Sequence, residues 1–73
     1  MSREVIVLEG TNSYGHPVFY NGSDFTRQIN RAVMYPSISA AMDARDRVNR
    51  RFAGLIYGSV VFPGCTVAVR ELA

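Results

Sequence analysis

Apolar positions along the chain follow three different rhythms, and each predicts a different element. Glu4-Val5-Ile6-Val7-Leu8-Glu9 is an unbroken, β-branched apolar run with a charge at each end. Such a run reads as a central strand with both faces covered. Val18-Phe19-Tyr20 predicts a second, short strand. Gly10 to Pro17, between them, is dense in turn formers, a link short enough for an antiparallel hairpin. Asn21-Gly22 ends the second strand, because this pair readily takes positive φ.

Ser37 to Ala53 carries the helical rhythm. Pro36-Ser37 opens it, with Ser37 able to accept from the amides of the first turn, and Gly54 closes it in the left-handed cap position. At 100° per residue, Ala41, Ala44, Val48 and Phe52 form one narrow apolar face, whose small alanines let a helix lie close to a sheet. A face rotated toward Ile38 and Met42 would take in Arg45 and Asn49. The expectation is a compromise face with Arg45 at its border, its stem covered and its head reaching out.

The remaining stretches read less sharply. Phe25, Ile29, Ala32 and Val33 have a loose helical spacing, while Val33-Met34-Tyr35 suits extended chain. Ser23 to Tyr35 is therefore expected as a short or helical turn whose apolar residues tuck over the core edge, with Tyr35 kept out of helix by Pro36. Tyr57 to Phe62 is apolar and β-rich, and Pro63-Gly64 suits a type II turn. Cys65 to Leu72 alternates, with Cys65, Val67, Val69 and Glu71 on one face, and should lie beside the first strand. The predicted fold is α+β: one amphipathic helix on a small, mainly antiparallel sheet, in the order ββαβ or ββαββ. There is no repeat or linker, so residues 1–73 are expected to form a single domain.

Size and composition narrow the functional classes. Seventy-three residues, 48% of them hydrophobic and 19% charged, make one small globular unit. A chain this short buries only about 60% of its unfolded surface and has little material for a deep cleft, which argues against an enzyme. No apolar run approaches the roughly 20 residues needed to span a bilayer. Met1-Ser2-Arg3-Glu4 shows no signal-peptide pattern, so a cytoplasmic location without membrane association is expected. Cys65 is the single cysteine and His16 the single histidine, so neither an intramolecular disulfide nor a usual zinc site can form, and no metal or other cofactor is expected. Without such staples, a homodimer or a partner is a plausible source of added stability.

The net charge of +2 is unevenly spread. From Arg27 to Arg51 there are six Arg against Asp43 and Asp46, and the chain contains no Lys. A GC-rich genome is the favoured account of that choice; the functional alternative is bidentate recognition of carboxylate or phosphate by Arg's planar fork. Within the helix, Asp43 and Asp46 precede Arg47, Arg50 and Arg51. That order suits the helix dipole and offers Asp43–Arg47 and Asp46–Arg50 pairs.

Other candidate chemistry is thin. His16 lies in a Gly-rich loop with Tyr14 and lacks an orienting acid and a nucleophile nearby in sequence. Nothing beside Cys65 suggests a lowered thiol pKa, so it reads as a packed or half-exposed structural cysteine. Gly10-x-x-x-x-Gly15-His16-Pro17 lacks the Lys-Ser/Thr pair and the following helix of a phosphate loop. The candidate binding residues are therefore Arg45, Arg47, Arg50, Arg51, Asp43 and Asp46. Tyr20, Tyr35 and Tyr57 supply aromatic rings, although no RNA-recognition, KH or zinc-finger motif accompanies them.

Phe25-Thr26-x-x-Ile29-x-x-Ala32-x-x-Tyr35-x-Ser37-x-x-x-Ala41 resembles a pattern in small phage and prophage accessory proteins. The resemblance extends from Val18 to Val69 and rests mainly on core and cap positions. It implies the same strand, helix and strand order. It also implies a context of host-takeover and anti-defence factors, including anti-CRISPR inhibitors that act by stoichiometric binding. The pattern has no fixed functional residues to transfer. The expected function is thus a non-catalytic inhibitor of a bacterial defence (CRISPR–Cas-like) or host nucleoprotein complex, with the host protein or nucleoprotein as partner. A small basic nucleic-acid-binding regulator and a structural or virion-associated oligomer component are the alternatives.

Overall fold

In the computed structural model, which describes residues 3–57 and 60–72, the long apolar run forms β1 (Arg3–Thr11). It is followed by β2 (Pro17–Tyr20), β3 (Phe25–Thr26), a 3-10 turn (Ile29–Arg31), α1 (Ile38–Arg51), β4 (Ile56–Tyr57), β5 (Val60–Val61) and β6 (Thr66–Leu72). The main sheet has the order β3-β2-β1-β6, and every neighbouring pair is antiparallel. One helix on this sheet gives the expected α+β fold.

Sheet geometry explains the unbroken apolar run in β1. Successive side chains alternate between faces. Leu8 packs with Tyr20, Ala41, Ala44, Val48, Phe52 and Cys65 under the helix, with Ile6 against them. Val5 and Val7 pack on the opposite face with Phe19, under Ile29, Ala32 and Met34. β1 is therefore buried on both sides, although its sheet is antiparallel. Val7 and Leu8 are fully buried, each worth about 1.5–3 kcal/mol relative to exposure.

The segment after β2 accomplishes the second covering. Asn21 Oδ1 accepts from the amides of Ser23 (3.1 Å) and Asp24 (2.8 Å), and Gly22 takes φ 108°. This tight turn brings Phe25–Thr26 back beside Phe19 and Tyr20 as a third strand that the sequence reading did not anticipate. The chain then crosses the sheet through the 3-10 turn. It returns in extended form, with the Val33 amide donating to the Tyr20 carbonyl (2.9 Å) and the Tyr35 amide to the Ile6 carbonyl (2.8 Å).

The helix begins as expected: Ser37 Oγ accepts from the Ala40 amide at 3.1 Å. It ends at Arg51 with Phe52 as cap, two residues earlier than Ala53, and Gly54 takes φ 80°. Ala41, Ala44, Val48 and Phe52 are all buried, whereas Ile38 and Met42 are 45% and 43% exposed. The narrow face is thus the packed one, with Arg45 and Asn49 half-buried at its border, as expected of the compromise face. Four rings close the helix end of this core: Phe25 lies 5.4 Å from Phe52 and 5.6 Å from Phe62, and Tyr20 lies 5.7 Å from Phe25, between centroids.

The β-rich stretch from Tyr57 to Phe62 is not one strand. β4 and β5 pair antiparallel as a separate two-stranded sheet, Ile56 opposite Val61 and Tyr57 opposite Val60. Residues 58 and 59 and the side chain of Tyr57 lie outside the described residues. β6 takes the expected place beside β1, in register from Arg3 opposite Leu72 to Glu9 opposite Thr66. Among the described residues, no helix is long and apolar enough to cross a membrane.

Candidate functional site: a cleft between the helix and Tyr35

The helix projects its charged residues from two flanks, and their partners sort them by role. Arg45 lies at the border of the buried stripe, as expected, with its side chain 32% exposed. Its Nε and Nη2 donate to Asp46 Oδ1 at 3.3 and 3.2 Å. Asp46 is consequently occupied by its sequence neighbour and makes no ion pair with Arg50, which corrects that expectation. Arg50 Nε reaches the Asp46 backbone carbonyl instead, at 3.3 Å, as suits a cation in the last turn. The expected Asp43–Arg47 ion pair is also not formed, and Asp43 stays exposed.

Elsewhere, Arg70 closes on Glu9 in a two-pronged pair, Nε to Oε1 at 2.8 Å and Nη2 to Oε2 at 2.9 Å. Arg3 donates to Met34 Sδ at 3.4 Å. These guanidinium groups are taken up by the fold.

Arg27 and Arg31 are exposed and, like Arg47 and Arg51, have no such partner among the described residues; Arg47 and Arg51 differ in standing together. They lie four residues apart on one helix flank, and neither forms a hydrogen bond or ion pair among the described residues. The Arg51 guanidinium rests 5.4 Å from the Phe52 ring centroid. Both line an open cavity of about 290 Å³ with Tyr20 and Tyr35, over a floor of Ala44 and Val48. The floor comes from the buried helix stripe. The tyrosine wall comes from β2 and from the extended chain that bridges to Ile6.

The two tyrosines are not equivalent. Tyr20 Oη donates to the Gly22 carbonyl at 2.7 Å, which fixes its ring. Tyr35 Oη makes no hydrogen bond among the described residues. Burial pushes the Tyr35 phenol above its ordinary value, Tyr20 and Cys65 add to the rise, and Arg47 opposes it. The influence of Arg47 on Tyr35 reflects the cleft geometry: a cation from the helix faces a phenol from the sheet side.

Of the six helix residues singled out by sequence, the cleft uses Arg47 and Arg51. Arg45 and Asp46 are paired with each other, Arg50 is bound to the Asp46 carbonyl, and Asp43 is exposed. Tyr20 and Tyr35 were visible only as aromatic residues, since their placement against the helix depends on a return of the chain that local sequence does not encode. Asn49 was missed as a structural residue: its side-chain amide is bound to the backbone of Cys65.

His16 is exposed in the β1–β2 turn, stacked 6.4 Å from Tyr14. Cys65 is buried at 2% exposure, and burial pushes its thiol up, so it is packed rather than half-exposed. A second unclaimed surface is the free edge of β6, near which Val69 is 44% exposed.

Compared with family models, curated proteins and solved structures, the chain shows no match to any of them.

Proposed function

We propose that this protein is a non-catalytic binding protein, a phage-type inhibitor that occludes a working surface of a bacterial defence or host nucleoprotein complex. It acts in the cytoplasm by stoichiometric binding, in keeping with the sequence resemblance. The observation that supports it is the sorting of the arginines. Arg3, Arg45, Arg50 and Arg70 have partners within the fold; of the four without one, Arg27 and Arg31 are exposed elsewhere, while Arg47 and Arg51 stand together without a counter-charge beside two tyrosines. Arg and Tyr are the residue types that most often carry binding energy at interfaces.

Titration of the purified protein into an active target complex tests the reading. Inhibition should rise linearly and saturate at molar equivalence, with the two species co-eluting on size exclusion. Inhibition at a small fraction of equivalence would instead indicate turnover. Changing Arg47 and Arg51 together to Ala should weaken the complex by at least tenfold, about 1.4 kcal/mol, with the fold intact.

The oligomer-component reading has its own observation. β6 is an edge strand of seven residues, and an unpaired edge is a template for strand addition. Light scattering separates the two: an extended assembly favours the structural role, and a monomer or dimer the binding role.

A further inference from the structure

We infer that the cleft between α1 and the Tyr20–Tyr35 wall is a site for a phosphate group of a single-stranded nucleic acid, held by Arg47 and Arg51. The inference rests on reading this face as the recognition surface, and it names what that surface recognises.

The donor count favours phosphate over carboxylate. Within this same protein, one guanidinium satisfies one carboxylate: Arg70 meets both oxygens of Glu9, at 2.8 and 2.9 Å. The cleft instead offers two guanidinium groups on successive helical turns and an unpaired Tyr35 hydroxyl. That is more donor capacity than one planar carboxylate can use. A phosphate presents its oxygens in several directions and accepts forks from separate residues.

The surrounding charge permits an anion there. The carboxylate of Asp46 is engaged by Arg45, and Asp43 forms no ion pair with Arg47. The C-terminal half of a helix carries about half a negative charge, which opposes anion binding, but the two guanidinium groups contribute two full positive charges.

Shape favours a strand passing across the surface. A volume of about 290 Å³ lies at the lower end of the ~300–1,000 Å³ typical of ligand pockets, and the cleft is open to solvent. It has room for a phosphate and part of its sugar, with the adjoining base left to pack on the half-buried Tyr35 ring. Aromatic rings beside cations are the usual platform for unpaired bases, and stacking there tolerates any sequence. A duplex keeps its bases stacked on each other and cannot use the Tyr35 ring.

Fluorescence anisotropy with a short labelled oligothymidylate tests the inference. Binding should appear at low salt, and log affinity should fall with log salt by about 0.7 per contacted phosphate. Arg47→Ala and Arg51→Ala should each lower the affinity by about tenfold, and the double Ala variant should reduce that slope by about 0.7. Tyr35→Ala should lower affinity by about tenfold and leave the slope unchanged. Thermal melts establish that each variant is folded; should an Ala variant unfold, Arg47→Lys and Arg51→Lys retain the charge and should keep the slope while losing affinity.

No oligonucleotide binding at low salt would overturn the inference, as would an unchanged slope in the folded double Ala variant. Equal or tighter binding of the matching duplex overturns the single-strand assignment. Tighter binding of a polyglutamate peptide overturns it in favour of an acidic protein surface. Inhibition of the target complex is a separate readout. Inhibition without oligonucleotide binding removes this inference alone; oligonucleotide binding without inhibition removes the inhibitor reading alone.

Discussion

Asn49 holds the backbone of Cys65 much as a neighbouring strand would. Its Oδ1 accepts the Cys65 amide at 2.8 Å, its Nδ2 donates to the Cys65 carbonyl at 3.2 Å, and the Cys65 thiol donates to the same Oδ1 at 3.3 Å. Cys65 sits one residue before Thr66, where the β1–β6 ladder ends. A helix side chain thus completes the hydrogen bonding of a strand entrance buried at 2% exposure. Gly64 makes the approach possible. It takes φ 97°, and a Cβ there would lie 3.4 Å from Asn49 Oδ1.

Asn49→Ala leaves the Cys65 amide and carbonyl without their partner. Loss of the two backbone hydrogen bonds, with the weak thiol contact adding little, should cost about 2 kcal/mol, and for a domain of this size roughly 10 °C in Tm. Asn49→Asp keeps an acceptor for the amide, loses the donor to the carbonyl and adds a charge, so it should fall no higher than halfway back. Urea denaturation measures both. An Asn49→Ala midpoint equal to the parent's would show that water replaces the side chain without cost.

Phe52 has the largest predicted effect on the core. It is 7% exposed and touches the rings of Tyr20, Phe25 and Phe62 at centroid distances of 6.4, 5.4 and 5.8 Å. Phe52→Ala should cost about 3–5 kcal/mol. Domains this small have total stabilities near the bottom of the ~5–15 kcal/mol range, so the variant should lose its cooperative melt at 37 °C. Phe52→Leu keeps most of the volume and should still fold, at reduced Tm. Calorimetry distinguishes the two; a sharp transition in Phe52→Ala would mean the neighbouring rings collapse to fill the space.

What the sequence disclosed depended on how local the determinant was. The helix announced itself through Ser37, Gly54 and the spacing of Ala41, Ala44, Val48 and Phe52, all set by contacts within a few residues. β1 was recognisable as doubly covered because Val5 to Leu8 are apolar without alternation. The covering itself was only half legible: Ile29, Ala32 and Met34 are too irregularly spaced to reveal that they pack on Val5 and Val7. β3 was hidden because two residues carry no periodicity, and its pairing is imposed by the Asn21 turn. The cleft was hidden for a related reason. Arg47 and Arg51 were in view as helix charges, but the fates of Arg45, Arg50 and Asp46 depend on which rotamers meet, and ideal i,i+4 spacing predicted the wrong partners. Tyr35 entered the site only through its bridge to Ile6, a pairing across 29 residues of chain.

Alkaline pH should destabilise the protein through Cys65. Burial raises its thiol above the ordinary value, and this outweighs the opposing effects of its own backbone amide and Arg45. The folded state therefore binds the proton more tightly than the unfolded state does. The resulting stabilisation is complete below the unfolded value of about 8.5 and is lost as pH rises through the folded value. Tyr35, also raised, adds a second loss beginning near its unfolded value of about 10. Unfolding free energy measured from pH 7 to 10.5 should be level at first and then fall. Cys65→Ala should flatten the first part of that fall whatever its effect at pH 7, and Tyr35→Phe the last part. An unchanged slope in Cys65→Ala would refute the assignment.

β1 and β6 bring Glu4 directly opposite Glu71, both exposed. Like charges facing each other across an antiparallel pair destabilise it, whereas opposite charges contribute roughly 0.2–1 kcal/mol. Glu71→Lys should therefore raise stability, toward the lower end of that range because both groups are solvated. The nearby Glu9–Arg70 pair lies on the same two strands, so Glu71→Gln serves as the control that removes repulsion without adding attraction. The expected order of Tm is Lys above Gln above the parent at low salt. The spacing should shrink as salt approaches 1 M, where the Debye length is about 3 Å. If the Gln and Lys variants melt together and ignore salt, the effect belongs to strand propensity and not to charge.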